Sequence, residues 1–221
     1  MNLKRTIGAY HGEVAGDPHH RFRSWEHCYK FFRRITPARI LEERDQAALQ
    51  LGFYLASWGM YRNSFLLQHA YTVHLGAVDC LATPALTPLW EVDVGMRSGH
   101  ASLAPTILAA VNCVKEAYSP FGQATDTLVT KVLLGTIGCL PACDRFFTDG
   151  FKRAGFNYSW VNARFVKRIL QFCSDNAADL RAEQQRIETS SGIIYPFMKL
   201  ADMYFWQIGY EASLQAFSGG A

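Results

Sequence analysis

The sequence has no apolar run of the roughly 18 residues that a membrane-crossing helix needs. The two longest candidates fail: residues 101–114 are interrupted by Pro105 and Asn112, and residues 127–143 carry Lys131. Both read as buried core helices, and no membrane partner is expected. Residues 1–14 hold Lys4 and Arg5 but no apolar stretch of the secretory kind, so no leader is expected. Strand-type alternation is missing over any useful length, and so are internal repeats and low-complexity tracts. There is no Walker A sequence, no Rossmann glycine fingerprint, no Gly-x-Ser-x-Gly elbow and no His-Glu-x-x-His. Cysteine is sparse, at 6 of 221 residues, and sits mostly in apolar stretches. Such thiols behave as small reduced hydrophobes of a cytoplasmic protein. Cys139 and Cys143 are neighbours separated by Pro141, and His69 and His74 are five apart, off one helix face. Neither spacing suits a metal, so no metal or cofactor is expected.

What is present is an apolar, aromatic chain: 49% hydrophobic, 14% aromatic and 19% charged residues. That composition excludes intrinsic disorder, and the length suffices to bury a core without staples. The periodicity is helical nearly throughout. Trp25, Tyr29 and Phe32 lie at i, i+4, i+7 within a helix over 23–34. Pro37 opens the next, running through Leu41, Ala48, Leu51, Leu55 and Trp58. A third covers 64–81, followed by a loop region with an extended piece at Trp90–Val94. Further helices are expected from Pro105 to Tyr118, over 125–136, 144–154, 159–172, 175–188 and 196–216, with Ser159 and Ser174 as N-caps. The reading is an all-α bundle of about nine helices. It forms one domain over 1–221, or two interlocked subdomains, 1–118 and 119–221, with a cleft. The net charge is +3, too small to announce a nucleic-acid partner. Residues 1–34 and 144–173 are nevertheless both basic, and the first of these holds four of the seven histidines.

One segment has a chemical grammar. Residues 118–153 read YSPFGQATDTLVTKVLLGTIGCLPACDRFFTDGFKR. The order is a turn, an apolar helix, a Pro-containing loop, one Asp, then a helix ending in Lys152 and Arg153. This order resembles the core of the helix-hairpin-helix base-excision DNA glycosylases. The resemblance implies that Gly122 is the hairpin glycine, its turn amides meeting a DNA phosphate, and that Asp144, 22 residues later, is the active-site acid. The hairpin has one glycine where the family usually has two. Bifunctional members carry a nucleophilic lysine at a position matching the neighbourhood of Ala124. Here the nearest lysine is Lys131, on the same helical face about 10 Å further along. The resemblance therefore implies a monofunctional hydrolase, with water as nucleophile and Lys131 in or near the pocket.

The chemistry suits these residue types. Breaking an N-glycosidic bond develops positive charge on the sugar, which one carboxylate can stabilise while it orients water. The base must first leave the stack and enter an aromatic pocket. Tyr54, Trp58 and Arg62, at i, i+4, i+8, offer one helix face for it. Arg145, Lys152, Arg153, Arg164, Lys167 and Arg168 are candidate phosphate contacts on double-stranded, base-modified DNA. Repair and defence against modified viral DNA both fit. Asp144 after a Pro-containing loop equally suits a helix cap. Arg21 and His27 resemble the Arg/His pair of helical HEPN-type ribonucleases, although Phe22 stands where that family has a polar residue. A non-catalytic helical interaction module is the third reading.

Overall fold

The computed structural model describes residues 2–35, 37–91, 93 and 100–218. The all-α expectation holds: the described residues form helices and no strand. There are more helical segments than the nine expected, because helices at Leu3–Ala15 and Thr87–Glu91 were not expected and two long helices are each broken. The first segment is α1, Leu3–Ala15, which the sequence reading left unassigned. Asn2 caps it by accepting the Arg5 N–H, and its buried Leu3, Ile7 and Tyr10 lie at i, i+4, i+7. That face packs on α11, Ala177–Ser191, and α12, Phe197–Ser218.

Helix α2, Arg23–Arg34, buries Trp25, Cys28, Tyr29 and Phe32 as its periodicity predicts. The helix expected from Pro37 is broken into α3, Pro37–Ile40, and α4, Arg44–Ser57. Gly59, with φ 73°, turns the chain out of α4 directly after Trp58. The stretch 64–81 also differs from expectation. It forms two single 3₁₀ turns, Phe65–Gln68 and Tyr71–His74, before α5, Leu75–Leu81. Trp90 is helical, within α6, Thr87–Glu91, so no extended piece starts there; Val92 and Val94 lie outside the described residues.

Helix α7, Ala104–Tyr118, packs on α5. Cys80 and Cys113 are joined there by a disulfide, so these two cysteines are not the separate reduced thiols expected. Helix α8, Asp126–Gly135, is the central element. Thr125 caps it, and every residue from Leu128 to Gly135 is buried, against α2, α4 and α7. Lys131, within this buried run, therefore has no solvent face toward which to snorkel.

Helices α9, Arg145–Arg153, and α10, Ala163–Asp175, complete the set. Asn162 rather than Ser159 caps α10, and α11 begins two residues later than expected, after Asn176. The α9–α12 crossing is a backbone contact. A Cβ on Gly150 would overlap the Phe205 carbonyl oxygen, and one on Gly209 would overlap that of Phe146. This close approach sets the start of α9 beside Asp202 and Trp206 of α12. Around the crossing, Phe147, Phe151, Phe156, Phe165, Phe172 and Phe205 form a cluster of ring-to-ring contacts. No helix among the described residues is long and apolar enough to cross a membrane.

Candidate active site

The loop between α8 and α9 carries Asp144, and three ties hold it. The Cys143 N–H donates to Thr130 Oγ1 at 2.9 Å, and Thr127 Oγ1 donates to the Cys143 carbonyl at 2.8 Å. The Ala142 N–H donates to Asp202 Oδ1 of α12 at 3.0 Å. Asp144 itself divides its two oxygens. Oδ1 caps α9 by accepting the Phe147 N–H at 3.1 Å, and Oδ2 accepts from Lys131 Nζ at 3.2 Å. The helix cap expected of Asp144 is thus observed, and the oxygen the cap does not use pairs with Lys131.

Lys131 is 3% exposed, and its ammonium lies 4.6 Å from the Trp58 ring centroid. Tyr54 is also buried beside this pair, in a slot that Gly135 keeps open for its ring. Burial pushes the Tyr54 hydroxyl well above its ordinary pKa. The structure adds a second acid–base pair that sequence reasoning missed. Lys199 Nζ donates to Asp202 Oδ2 at 2.9 Å and to the Tyr10 hydroxyl at 3.3 Å. The Tyr10, Trp25 and Trp58 rings cage this ammonium at 5.0, 5.1 and 5.7 Å. Burial raises the pKa of Asp202; Lys199 opposes that, and Asp144 adds to it. The signal was present in the sequence: Lys199 and Asp202, three apart in the otherwise apolar stretch 197–206, break their pattern as Lys131 breaks its own.

Tyr54, Trp58, Lys131, Asp144, Lys199, Asp202 and Trp206 face one small cleft. Its free volume is about 10 Å³, roughly room for one water. Trp58 Nε1 is buried and has no hydrogen-bond partner among the described residues. A roomier cavity of about 420 Å³ opens at Tyr29, Arg33 and Gly138. Its carboxylate, Asp93, is engaged by the Phe197 N–H and by Gln184. Size and paired acid–base chemistry therefore part company, and the small cleft is the candidate site. No group of three or more potential metal ligands occurs among the described residues.

The remaining predicted residues are dispersed. Arg62 is exposed and lines a separate surface hollow with Asn63 and Thr125, because the α4 face ends at Gly59 before reaching it. The Gly122 N–H donates to the Tyr118 carbonyl at 3.1 Å, so it is used within its own turn. A Cβ on Gly122 would lie 2.7 Å from Phe65 Cγ, which gives this glycine a packing role. Arg145, Lys152 and Arg153 are exposed on α9. Arg164, Lys167 and Arg168 line an open groove of about 440 Å³ on α10. The Arg21 guanidinium lies over the Phe22 and Trp58 rings, whereas His27 is an exposed residue of α2. Comparison of the chain with protein-family models, with curated proteins and with solved structures finds no match, so the cleft is interpreted from its own geometry.

Proposed function

We propose that the protein hydrolyses the N-glycosidic bond of a flipped, modified or damaged base in double-stranded DNA. The observation that carries this reading is Asp144, held at the rim of an aromatic cleft with its side chain 18% exposed and paired to buried Lys131. A carboxylate so placed faces solvent on one side and low-dielectric walls on the other. There it stabilises the cationic sugar of the transition state and orients the attacking water. The Lys131 ammonium is engaged by Asp144 and by the Trp58 face, which favours water over an amine nucleophile and a monofunctional enzyme. The exposed cations of α9 and α10 supply phosphate contacts. Repair and defence against modified viral DNA both use this chemistry.

Asp144→Asn separates charge from capping. Asparagine still accepts the Phe147 N–H and remains a good N-cap, so the fold should hold. Abasic-site formation on duplexes carrying modified bases should fall about 100-fold or more, the usual scale for losing a transition-state electrostatic contact. DNA binding should change little. An Asn variant that still generates abasic sites at the wild-type rate removes Asp144 from the mechanism.

A further inference from the structure

Phe22, the residue before α2, has a ring parallel to two others. Its centroid is 5.0 Å from Tyr10 and 4.8 Å from Trp58, at 14° in both cases. Trp206 meets it edge-on at 5.7 Å, and the ring is 5% exposed. The same three neighbours surround the charges of the cleft. The Tyr10 hydroxyl accepts from Lys199, Trp58 lies under Lys131, and Trp206 faces the cleft with Asp144 and Asp202. A ring in the place of Phe22 therefore touches the aromatic wall of the whole cleft. A phenyl ring uses only the faces of that wall. It offers no acceptor to Trp58 Nε1, which is buried without a hydrogen-bond partner among the described residues.

The hydrogen bonds of the segment bearing Phe22 are local, to itself and to the first turn of α2. The His19 N–H donates to Asp17 Oδ1 at 2.7 Å, Arg23 Nε donates to the Asp17 carbonyl at 3.0 Å, and the Phe22 N–H donates to His20 Nδ1 at 3.4 Å. These bonds stay within residues 17–23. Swinging the Phe22 side chain out breaks ring contacts but none of these hydrogen bonds.

We propose that Phe22 is a plug. Its ring fills a binding slot, on the faces of Tyr10 and Trp58, for a planar heteroaromatic ring of the purine or pyrimidine class. The proposal rests on the base-excision reading and concerns how that site opens. About 10 Å³ of free space admits no ring, so a base gains the slot by displacing Phe22. Arg21, stacked over the Phe22 and Trp58 rings, moves with the plug and is released toward the backbone of the bound nucleotide.

The test uses Phe22→Ala with free adenine and free uracil as probes and cyclohexanol as a non-planar control. Affinity and the indole N–H signal of Trp58, assigned with Trp58→Phe, are read by NMR titration. The variant should bind at least one base tenfold or more tightly than the wild type does. The Trp58 signal should move, and the control should bind neither protein. Equal affinity in variant and wild type, or binding that leaves the Trp58 signal in place, overturns the proposal. If the Ala variant does not fold, Phe22→Leu replaces it. Leucine keeps apolar volume without a ring face, and the same direction of change is required of it. No DNA and no bond cleavage enter this measurement. A failure of the hydrolase reading at Asp144 is therefore distinguishable from a failure of the plug.

Discussion

The interior of this protein holds ionisable groups in two different ways. Away from the cleft, buried carboxylates such as Glu26 and Glu183 pair with the partly exposed arginines Arg23 and Arg186, and other buried groups are kept neutral. His74 is fully buried, with one ring nitrogen 2.7 Å from the Tyr61 hydroxyl and the other 2.7 Å from that of Tyr118. Burial pushes its pKa down to about 4, and burial pushes the thiols of Cys28 and Cys173 up. At the cleft, Lys131, Lys199 and Asp202 are instead buried, with Lys131 paired to the half-buried Asp144 and Lys199 to Asp202. The contrast is energetic. A hydrogen-bonded neutral group costs a core little, whereas a buried ion costs several kcal/mol that its partner repays only in part. Packing alone would be served as well by apolar residues, as in the phenylalanine cluster at the α9–α12 crossing. Under the proposed function, the charge retained beside Trp58 serves chemistry rather than stability.

The sharpest way to break this contrast is to strand one charge. Lys199→Met leaves the Asp202 carboxylate buried without its cation and should cost about 3–5 kcal/mol of unfolding free energy. Lys199→Met combined with Asp202→Asn should recover more than half of that loss. Asparagine keeps an acceptor for the Ala142 N–H while removing the stranded charge. Urea denaturation of the single and double variants measures both numbers. A single variant that loses under about 1 kcal/mol would mean that the pair is not charged in the native cleft.

The sequence discloses the members of this cleft unevenly. Helical class and most helices follow from apolar spacing, as in α2 and α8, because those elements bury one stripe or all of their surface. Lys131 and Asp144 are legible because each interrupts a pattern. Lys199 and Asp202 interrupt α12 in the same way, but no motif drew attention to them. Tyr10 was missed with the whole of α1, although Leu3, Ile7 and Tyr10 carry helical spacing after a capping Asn2. Arg62 was misplaced because periodicity extrapolates through Gly59, whereas the backbone turns there. The partnership of Trp58 with Phe22 and both lysines joins residues far apart in the chain. Such pairing lies beyond any local pattern.

A second test addresses the neutral side of the contrast. The ordinary value for His74 is 6.5, and in the fold it lies near 4. A histidine with a depressed folded pKa binds its proton more readily when unfolded. Its contribution is full above pH 6.5 and is lost as pH falls toward 4, by about 3 kcal/mol in total. His74→Gln, which keeps a donor and an acceptor for the two tyrosines, should flatten that part of the pH profile. Asp202 has the opposite sign. Burial raises it above 3.8, so its contribution is full below that pH and declines as pH rises through the raised value. An imidazole of His74 that titrates near 6.5 by NMR would erase the difference between core and cleft.

The smallest effects on stability belong to the surface that the proposed function needs most. Arg164, Lys167 and Arg168 lie on one exposed face of α10, and none of them takes part in a salt bridge among the described residues. Their guanidinium and ammonium heads remain solvated, so Arg164→Ala and Lys167→Ala should each shift unfolding free energy by less than about 0.5 kcal/mol. Their effect on DNA should be disproportionate. A phosphate contact releases roughly one counterion, so each substitution should lower the slope of log affinity against log salt by about one. The preferred base should not change, because phosphate contacts position a duplex without identifying its sequence. Filter binding or fluorescence anisotropy across a salt series on a fixed duplex measures the slopes. A wild-type protein whose affinity is flat across that series has no phosphate surface. The buried charges of the cleft would then need a substrate other than DNA, and the helical interaction module would stand ahead of the hydrolase.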